Sequence, residues 1–493
     1  MLFRSNNVGS DIALANAIGR EIIHAGLADM AFIERATENF EAYRELVEEY
    51  TLERAEELTG VPAEAIREVA HAYAKADRAM ISWTLGITEH HTGVDNVLSL
   101  ISLALLTGHV GRYGSGLNPL RGQNNVQGGG DMGAIPNRLP GFQDIERDDA
   151  ARAKFEAAYG VPIRDRYGWH LTQMFHGMET GELRYCYIIG ENPAQSDADA
   201  TRIRRLLEGL DFLVVQDVFA TKTAELADVI LPGTLSWCET EGTVTNSERR
   251  VQRVRKALDP PGEARDDQWI LCEMARRLGF DWNYGSSEEI WDELRSLSPM
   301  HAGMSYARLE AENGIQWPCP VDDHPGSPRL HERLWADVVE VRAPFVPVHD
   351  RPPIEATDSE YPIRLTTGRR LESYNTGVQT EKFTSPLHEG EFLELCPEDM
   401  ERFDLEDGEI VRVSSRRGSV ETPVRGDDRL RPGLAFMTFH FPDQVDVNLL
   451  TIDAHDEKSG TAEFKACAVK VEKIRKGAKT AEAADERELV AGD

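Results

Sequence analysis

The sequence predicts a multi-domain α/β fold that ends in a β-barrel, and three features carry the prediction. Residues 183–231 alternate apolar strands with helical segments, residues 11–109 carry helical periodicity, and residues 363–471 are rich in strands. At 493 residues the chain is long enough for about three domains with sizeable cores.

Taken in order, Ile12 to Leu27 carries an apolar stripe, Pro62 opens a helix, and Ala79 to Trp83 reads as a short strand. Val94 to Leu106 is apolar nearly all round and stops at Thr107-Gly108, where glycine suits a left-handed cap; a buried helix is predicted. From Gly108 to Gly141 the periodic pattern gives way to Gly, Asn and Gln, and an unstructured stretch of this length inside a compact protein tends to be functional. Leu183–Gly190, Phe212–Gln216 and Val229–Leu231 read as buried strands and Ala198–Leu210 as a helix, which implies a parallel sheet covered on both faces. Ligands then sit beyond the strands' carboxyl ends, at Gly190-Glu191-Asn192-Pro193, Asp217 to Thr223 and Pro232-Gly233-Thr234. Beyond the Pro-rich stretch at 343–353, Ile410–Val413 and Ser419–Val424 form a predicted hairpin around Arg417-Gly418, and Leu434–Phe441 is a further strand of a small barrel. The expected divisions are 1–122 and 123–342 for the α/β part, a linker at 343–358, a barrel at 359–473 and a disordered tail at 474–493.

Acidic residues number 85 against 54 basic ones, a net charge of −31, and only 11 of the basic residues are Lys. Such a surface argues against nucleic acid or an anionic membrane as partner, because both need a basic face. Acid excess with scarce Lys is a bias of salt-adapted proteins, in which crowded carboxylates need ionic screening; the melting temperature is expected to rise with KCl in a thermal scan. Six cysteines lie far apart without a C-x-x-C pair, so structural zinc and iron–sulfur ligation within this chain are not expected, and no metal ligand is assigned. Scattered thiols fit a reducing cytoplasm. No apolar run reaches the ~18 residues of a membrane span.

Arg121-Gly122-Gln123-Asn124-Asn125 sets a fixed cation beside a glycine and three amides. Such a loop can hold a small planar anion with a guanidinium fork while bonding the edge of a heterocycle. It equally fits a polar surface turn with Arg121 in an ordinary ion pair. His90-His91 reads as helix-entry chemistry rather than a metal pair, and Gly128 to Gly133 is not the dinucleotide fingerprint, since no predicted strand precedes it. Asp217 with Thr221 and Thr223 can take a guanine-like edge and phosphate, or can cap a helix.

Together these stretches resemble the carboxyl-terminal two-thirds of the formate dehydrogenase catalytic subunit, in the molybdopterin oxidoreductase family. The resemblance spans about residues 8–473 and rests on GITEHHTGVDNVLSLISLALLTGHVGRYGSGLNPLRGQNNVQGGGDMGAIPN, YIIGENPAQSDAD, VVQDVFATKTAELADVILPGTLSWCETEGTVTNSERRVQ, GIQWPCP, LTTGRRLESYNTG and VNLLTIDAHDEKSGTAEFKACAVK. It implies parallel-sheet domains followed by a double-psi barrel that binds the molybdopterin dinucleotide. The implied cofactor is bis(molybdopterin guanine dinucleotide) with molybdenum or tungsten, and the implied reaction is formate oxidation to carbon dioxide. By motif, Arg121 would orient formate and Gln123 would contact the pterin, while Glu191, Asn192, Asp217, Thr221 and Gly242 would line one dinucleotide. From the barrel, Thr367, Gly368, Arg369, Asn375, Thr376, Asn448, Phe464 and Lys465 would close over the pterins.

The family's amino-terminal four-cysteine motif for a 4Fe-4S cluster, and its metal-ligating Cys or selenocysteine, have no counterpart here. The resemblance therefore implies activity only with an amino-terminal complement, alongside an electron-transfer subunit. Two other readings stand beside it: a non-catalytic cofactor-binding remnant or assembly partner, and a reductase of another small substrate such as nitrate, against which the RGQNN loop argues.

Overall fold

The computed structural model describes residues 5–236, 238–371, 373–376 and 390–474; apart from Ile474 the expected tail lies outside them. Two compact units emerge. One runs to Ile354 and takes back Asp453–Ala466, and the other runs Glu355–Ile452 and resumes at Cys467.

In the first unit, helix α1 (Asp11–His24) buries Ala13, Ala17 and Ile22 against Phe32, Tyr43, Ile66 and Leu106. The last of these belongs to α2 (Gly93–Thr107), the predicted buried helix. It stops at Gly108, whose φ of 64° is the left-handed conformation that spares a Cβ clash. The stretch expected as a linker is instead tied to this core. Phe345 is buried against Tyr43, Ala343–Pro344 pairs in parallel with Thr37–Glu38, and Asn16 donates to the Val348 carbonyl at 3.0 Å.

Residues 108–141 are not structureless. Strand β1 (Met80–Trp83) pairs in parallel with β2 (Gly116–Pro119), and Val126–Asp131 forms a short helix, α3. Glycine is a poor helix former; the turn is held by Gln127 Nε2 donating to Asp131 Oδ1 at 2.8 Å.

The predicted parallel sheet is present as β3 (Tyr185–Ile189), β4 (Phe212–Asp217) and β5 (Val229–Pro232), in that order. Leu213 and Val215 point to the face covered by Ile203 and Leu207 of α4 (Ala200–Glu208). Burial of each such side chain stabilises by ~1.5–3 kcal/mol. The opposite face departs from expectation, with Tyr185, Ile189, Phe212 and Val229 exposed. Apolar strands signal burial, but these four side chains stay exposed, while Gln216 on the same face is buried against Asp267 of the helix Asp267–Arg277.

Next comes a small antiparallel sheet in which β6 (Gly242–Thr245) and β7 (Arg250–Val254) form a hairpin, and β8 (Ile315–Gln316) pairs with β7. Between them, α5 (Asp267–Arg277) begins at Asp266, whose carboxylate accepts from the Gln268 N–H.

The second unit is a closed barrel of β9 (Ile363–Gly368), β10 (Leu393–Leu395), β11 (Ile410–Ser414), β12 (Ser419–Gly426), β13 (Leu434–Thr438) and β14 (Cys467–Lys473). Around it the order is β9-β13-β10-β12-β11-β14, with β9–β13 and β10–β12 parallel. Ile363, Leu365, Leu393, Leu395, Val411, Val413, Ala435 and Met437 fill its interior. The chain does not form this barrel continuously over 359–473, because Asp453–Ala466 belongs to the first unit. Among the described residues, no helix is long and apolar enough to cross a membrane.

Candidate functional site

Three clusters gather the residues singled out by sequence. The first is the loop from Arg121 to Asn125. Its backbone is pinned to the β6–β7 hairpin, where Arg121 N–H donates to Ser247 Oγ at 3.1 Å and Asn125 Oδ1 accepts from Thr245 N–H at 2.8 Å. Gly242 opens the same hairpin, so Arg121, Gln123 and Gly242 share one piece of scaffold. The hairpin turn is itself built by Asn246, whose Oδ1 accepts from the N–H groups of Glu248 and Arg250. Arg121 and Gln123 are exposed, and the Arg121 guanidinium forms no ion pair among the described residues. The ion pair of the surface-turn alternative is not seen among the described residues, while the exposure of 121–125 fits that alternative.

Beneath the loop lies Asp131, fully buried, which sequence reasoning missed. Its carboxylate accepts from Gln127 Nε2 and, at 2.7 Å, from Trp317 Nε1. Burial pushes Asp131 up to about 6, against the pull of those two hydrogen bonds and of the Arg121 and Arg249 charges. The four-residue spacing from Gln127 was its only sequence signal. Replacing Asn125 with Ala removes the acceptor for Thr245 N–H; the loop is expected to loosen, with stability falling by about 1 kcal/mol. A melting curve checks this.

The second cluster is the carboxyl edge of the parallel sheet. Gly190 N–H donates to the Gln216 carbonyl and Gly233 N–H to that of Asp217, so three strand ends are held side by side. Asn192 Oδ1 accepts from both the N–H and the Oγ of Thr223, at 3.0 and 2.8 Å, which ties the Glu191-Asn192 loop to the Thr221–Thr223 loop. Asp217 Oδ1 accepts from Phe219 N–H, and Thr221 Oγ1 from Ala224 N–H. The Asp217 bond closes a turn at the strand end and the Thr221 bond closes the turn before Ala224–Leu226; neither is a helix N-cap, and both orient the residues. Gln216, bonded to Asp267 at 2.6 Å, completes the edge. Burial and the neighbouring Glu191 carboxylate push Asp197 up to about 7, so this loop carries less negative charge near neutrality than its residues suggest. Thr234 is 3% exposed, and its hydroxyl has no hydrogen-bond partner among the described residues. A buried hydroxyl without a partner at a strand end is costly, and it fits a ligand with phosphate or heterocyclic acceptors.

The third cluster is in the barrel unit. Thr367 and Gly368 end β9, and a Cβ on Gly368 would stand 2.7 Å from the Phe436 ring. Arg369 Nε donates to Asn375 Oδ1 at 3.1 Å, and its guanidinium lies over Phe439; Thr376 follows in the same loop. Asn448 is buried in the one-turn helix at Val447–Leu449, where its Oδ1 and carbonyl accept from Thr451 Oγ1.

Phe464 and Lys465, expected with the barrel, lie in the first unit. Phe464 N–H donates to the Glu89 carbonyl, and Lys465 Nζ stands 3.0 Å from Glu89 Oε2. The cause is Glu463, fully buried, with the rings of His90 and His91 at 3.4 and 3.5 Å and the His91 N–H at 2.9 Å. Burial would raise this carboxyl, yet its bonds to His90 and His91 hold it well below the usual carboxylate range. His90-His91 therefore serves the entry of α2 by gripping a distant carboxylate.

Comparison with known proteins follows this geometry. The profile of the Molybdopterin oxidoreductase family matches residues 4–277, and that of the Molydopterin dinucleotide binding domain matches residues 363–468. The chain is 44% identical over 472 residues to F420-dependent formate dehydrogenase 2 subunit alpha of Methanococcus maripaludis, covering 94% of this chain and 68% of that one. Formate dehydrogenase H of Escherichia coli is 40% identical over 472 residues, with 94% and 66% covered. Putative formate dehydrogenase YrhE of Bacillus subtilis is 38% identical, with 96% and 48% covered. Among solved structures, Acetylene Hydratase from Pelobacter acetylenicus shares the fold at a TM-score of 0.68 and 19% identity, over 95% of this chain and 71% of that one.

Proposed function

The chain belongs to the molybdopterin oxidoreductase family, and from that premise we propose that it forms the formate-binding, dinucleotide-holding part of a formate dehydrogenase catalytic subunit. Formate would leave as carbon dioxide, giving up one proton and two electrons. The group that fits is bis(molybdopterin guanine dinucleotide) carrying molybdenum or tungsten, which when bound supplies the two-electron acceptor. The observation that carries the reading is Arg121, an exposed guanidinium without an ion pair among the described residues, on a loop held by Ser247 at the Arg121 backbone and by Thr245 at the Asn125 side chain.

Formate offers almost no surface beyond its carboxylate, so a planar fork is the natural positioning device; it leaves the C–H free to face the acceptor. Gln123 would contact the pterin. Asp217 would take the donor edge of guanine, with Asn192, Thr221 and Gly242 around the dinucleotide and the lone Thr234 hydroxyl finding its partner there. By the family motifs, Thr367, Gly368, Arg369, Asn375, Thr376 and Asn448 would contact the pterins, as would Phe464 and Lys465, the latter paired with Glu89.

The metal thiolate, its proton acceptor and the cluster cysteines would come from a complementing segment, on the same polypeptide or another, with an electron-transfer subunit beyond it. The exposed apolar face of β3–β5 supports such a covering segment.

Formate-dependent viologen reduction by the assembled holoenzyme, with metal and guanine analysis, tests the reading. Turnover with about two guanines per metal is expected. Bound guanine without turnover would favour the non-catalytic alternative, and nitrate reduction in place of formate oxidation would overturn the substrate.

A further inference from the structure

His440 follows β13 by two residues and is 3% exposed. Its ring spans the two ends of the loop that carries Arg369, Asn375 and Thr376. The backbone N–H of Arg370 lies 2.8 Å from Nε2, and the carbonyl oxygen of Asn375 lies 2.7 Å from Nδ1. A backbone N–H can only donate and a carbonyl can only accept, so Nε2 must carry the lone pair and Nδ1 the proton. Both contacts are satisfied by one species, the neutral Nδ1–H imidazole.

We propose that His440 is a positioning residue for the dinucleotide: as the neutral Nδ1–H tautomer it ties the Arg370 N–H to the Asn375 carbonyl and so holds Arg369 and Asn375 together for binding, and a second ring proton releases that clamp. The inference rests on the reading that this loop holds the molybdopterin dinucleotide. An imidazolium has two donors and no acceptor, so the Arg370 N–H would then face another N–H at hydrogen-bond distance. Inside the loop, Arg369 would lose the support of its partner Asn375, whose carbonyl the same ring holds.

The charges around His440 are of both signs. Arg369 and Arg370 stand in the loop itself and disfavour a further positive charge. Glu394 is paired with Arg370 at 2.9 Å and also with Arg425, so its charge is shared. Glu391 reaches the histidine through Thr438, which accepts from His440 N–H at 3.1 Å and donates its hydroxyl to Glu391 Oε2. Asp443 lies three residues further along the same segment. Burial pushes Glu391 up to about 7, so it titrates in the same range as a histidine and must be separated from it experimentally.

The test uses the assembled holoenzyme from about pH 8 to about pH 5, with two readouts: the amide-exchange protection factor of Arg370, and guanine and metal retained after gel filtration. In the wild type both are expected to fall as the pH drops through the imidazole range, about 6.5 for an ordinary histidine. In His440→Gln one amide group supplies the same acceptor and donor without titrating, so both readouts are expected to stay within about 2-fold across the range. In His440→Ala the Arg370 N–H loses its acceptor at every pH, and its protection is expected to fall roughly 10-fold. Glu391→Gln is expected to keep the wild-type transition.

A transition that survives in His440→Gln, or vanishes in Glu391→Gln, overturns the proposal. So does unchanged Arg370 protection in His440→Ala, or guanine retention that ignores the opening of the loop. Wild-type holoenzyme carrying no guanine would sink the functional reading instead, a result the exchange data do not depend on.

Discussion

Arg121→Lys is expected to lower formate turnover at least ~100-fold while the holoenzyme keeps its guanine and metal. Lysine preserves the charge at the tip of the loop, and the loop's fixation uses the Arg121 backbone rather than its side chain, so the scaffold should not move. What is lost is the fork. A point charge can hold one carboxylate oxygen but leaves rotation about that contact free, and a substrate of three heavy atoms has no second handle with which to recover its orientation. The loss should fall on kcat as well as KM, because a misaligned formate occupies the site without presenting its hydrogen. Steady-state kinetics with viologen acceptor, together with guanine analysis, reads the outcome; unchanged turnover would remove Arg121 from the mechanism.

Glu355→Ala is expected to destabilise the barrel unit by roughly 3–5 kcal/mol. Glu355 is 7% exposed, and its Oε1 accepts from Arg416 and Arg417, both at 2.7 Å, while Oε2 accepts from Arg417 Nη2 at 2.9 Å and from Ala468 N–H at 2.8 Å. Truncation leaves the amide of the barrel's last strand without its acceptor and takes the carboxylate from two guanidinium groups, of which Arg417 keeps the Leu450 carbonyl and Arg416 keeps Asp358. Burial raises the Glu355 carboxyl, but the Arg417 and Arg416 bonds and the Ala468 N–H outweigh it and leave the group below its ordinary value. A carboxyl depressed in the folded state contributes stability above its unfolded pKa, and that contribution is lost as the pH falls through the folded one. The gap between wild type and Glu355→Ala should therefore be full at neutral pH and shrink in acid. Urea unfolding at several pH values measures it, and a neutral-pH loss under about 1 kcal/mol would show that the cluster is not what holds the barrel closed.

Much of this architecture was legible because the signals were local. The strands at 185–189, 212–217 and 229–232 are short apolar runs between helical patterns, and the Arg417-Gly418 turn sits between two alternating strands. Gly108 ended the buried helix as its conformation requires. What escaped was non-local. Strand β2 exists because β1 offers it a parallel edge, which nothing in its Gly-Leu-Asn-Pro sequence announces. The bare face of β3–β5 could not be foreseen, since an apolar run reports that something must cover it and not whether the cover is in hand. Phe464 and Lys465 were assigned to the barrel by the family motif, yet Glu463 beside them answers to His90 and His91 far back along the chain. In the same way the residue types of the RGQNN loop were readable, while its attachment to Ser247 and Thr245 of a distant hairpin required the fold.

The return of Asp453–Ala466 to the first unit bears on biogenesis. The strand that seals the barrel, Cys467–Lys473, emerges from the ribosome only after this excursion, and it pairs with both Ile363–Gly368 and Ile410–Ser414. No nascent chain that stops short of Lys473 can shut the cylinder, so every ribosome-bound intermediate up to that point presents open strand edges. Any event that needs the sealed cylinder must wait for this last strand.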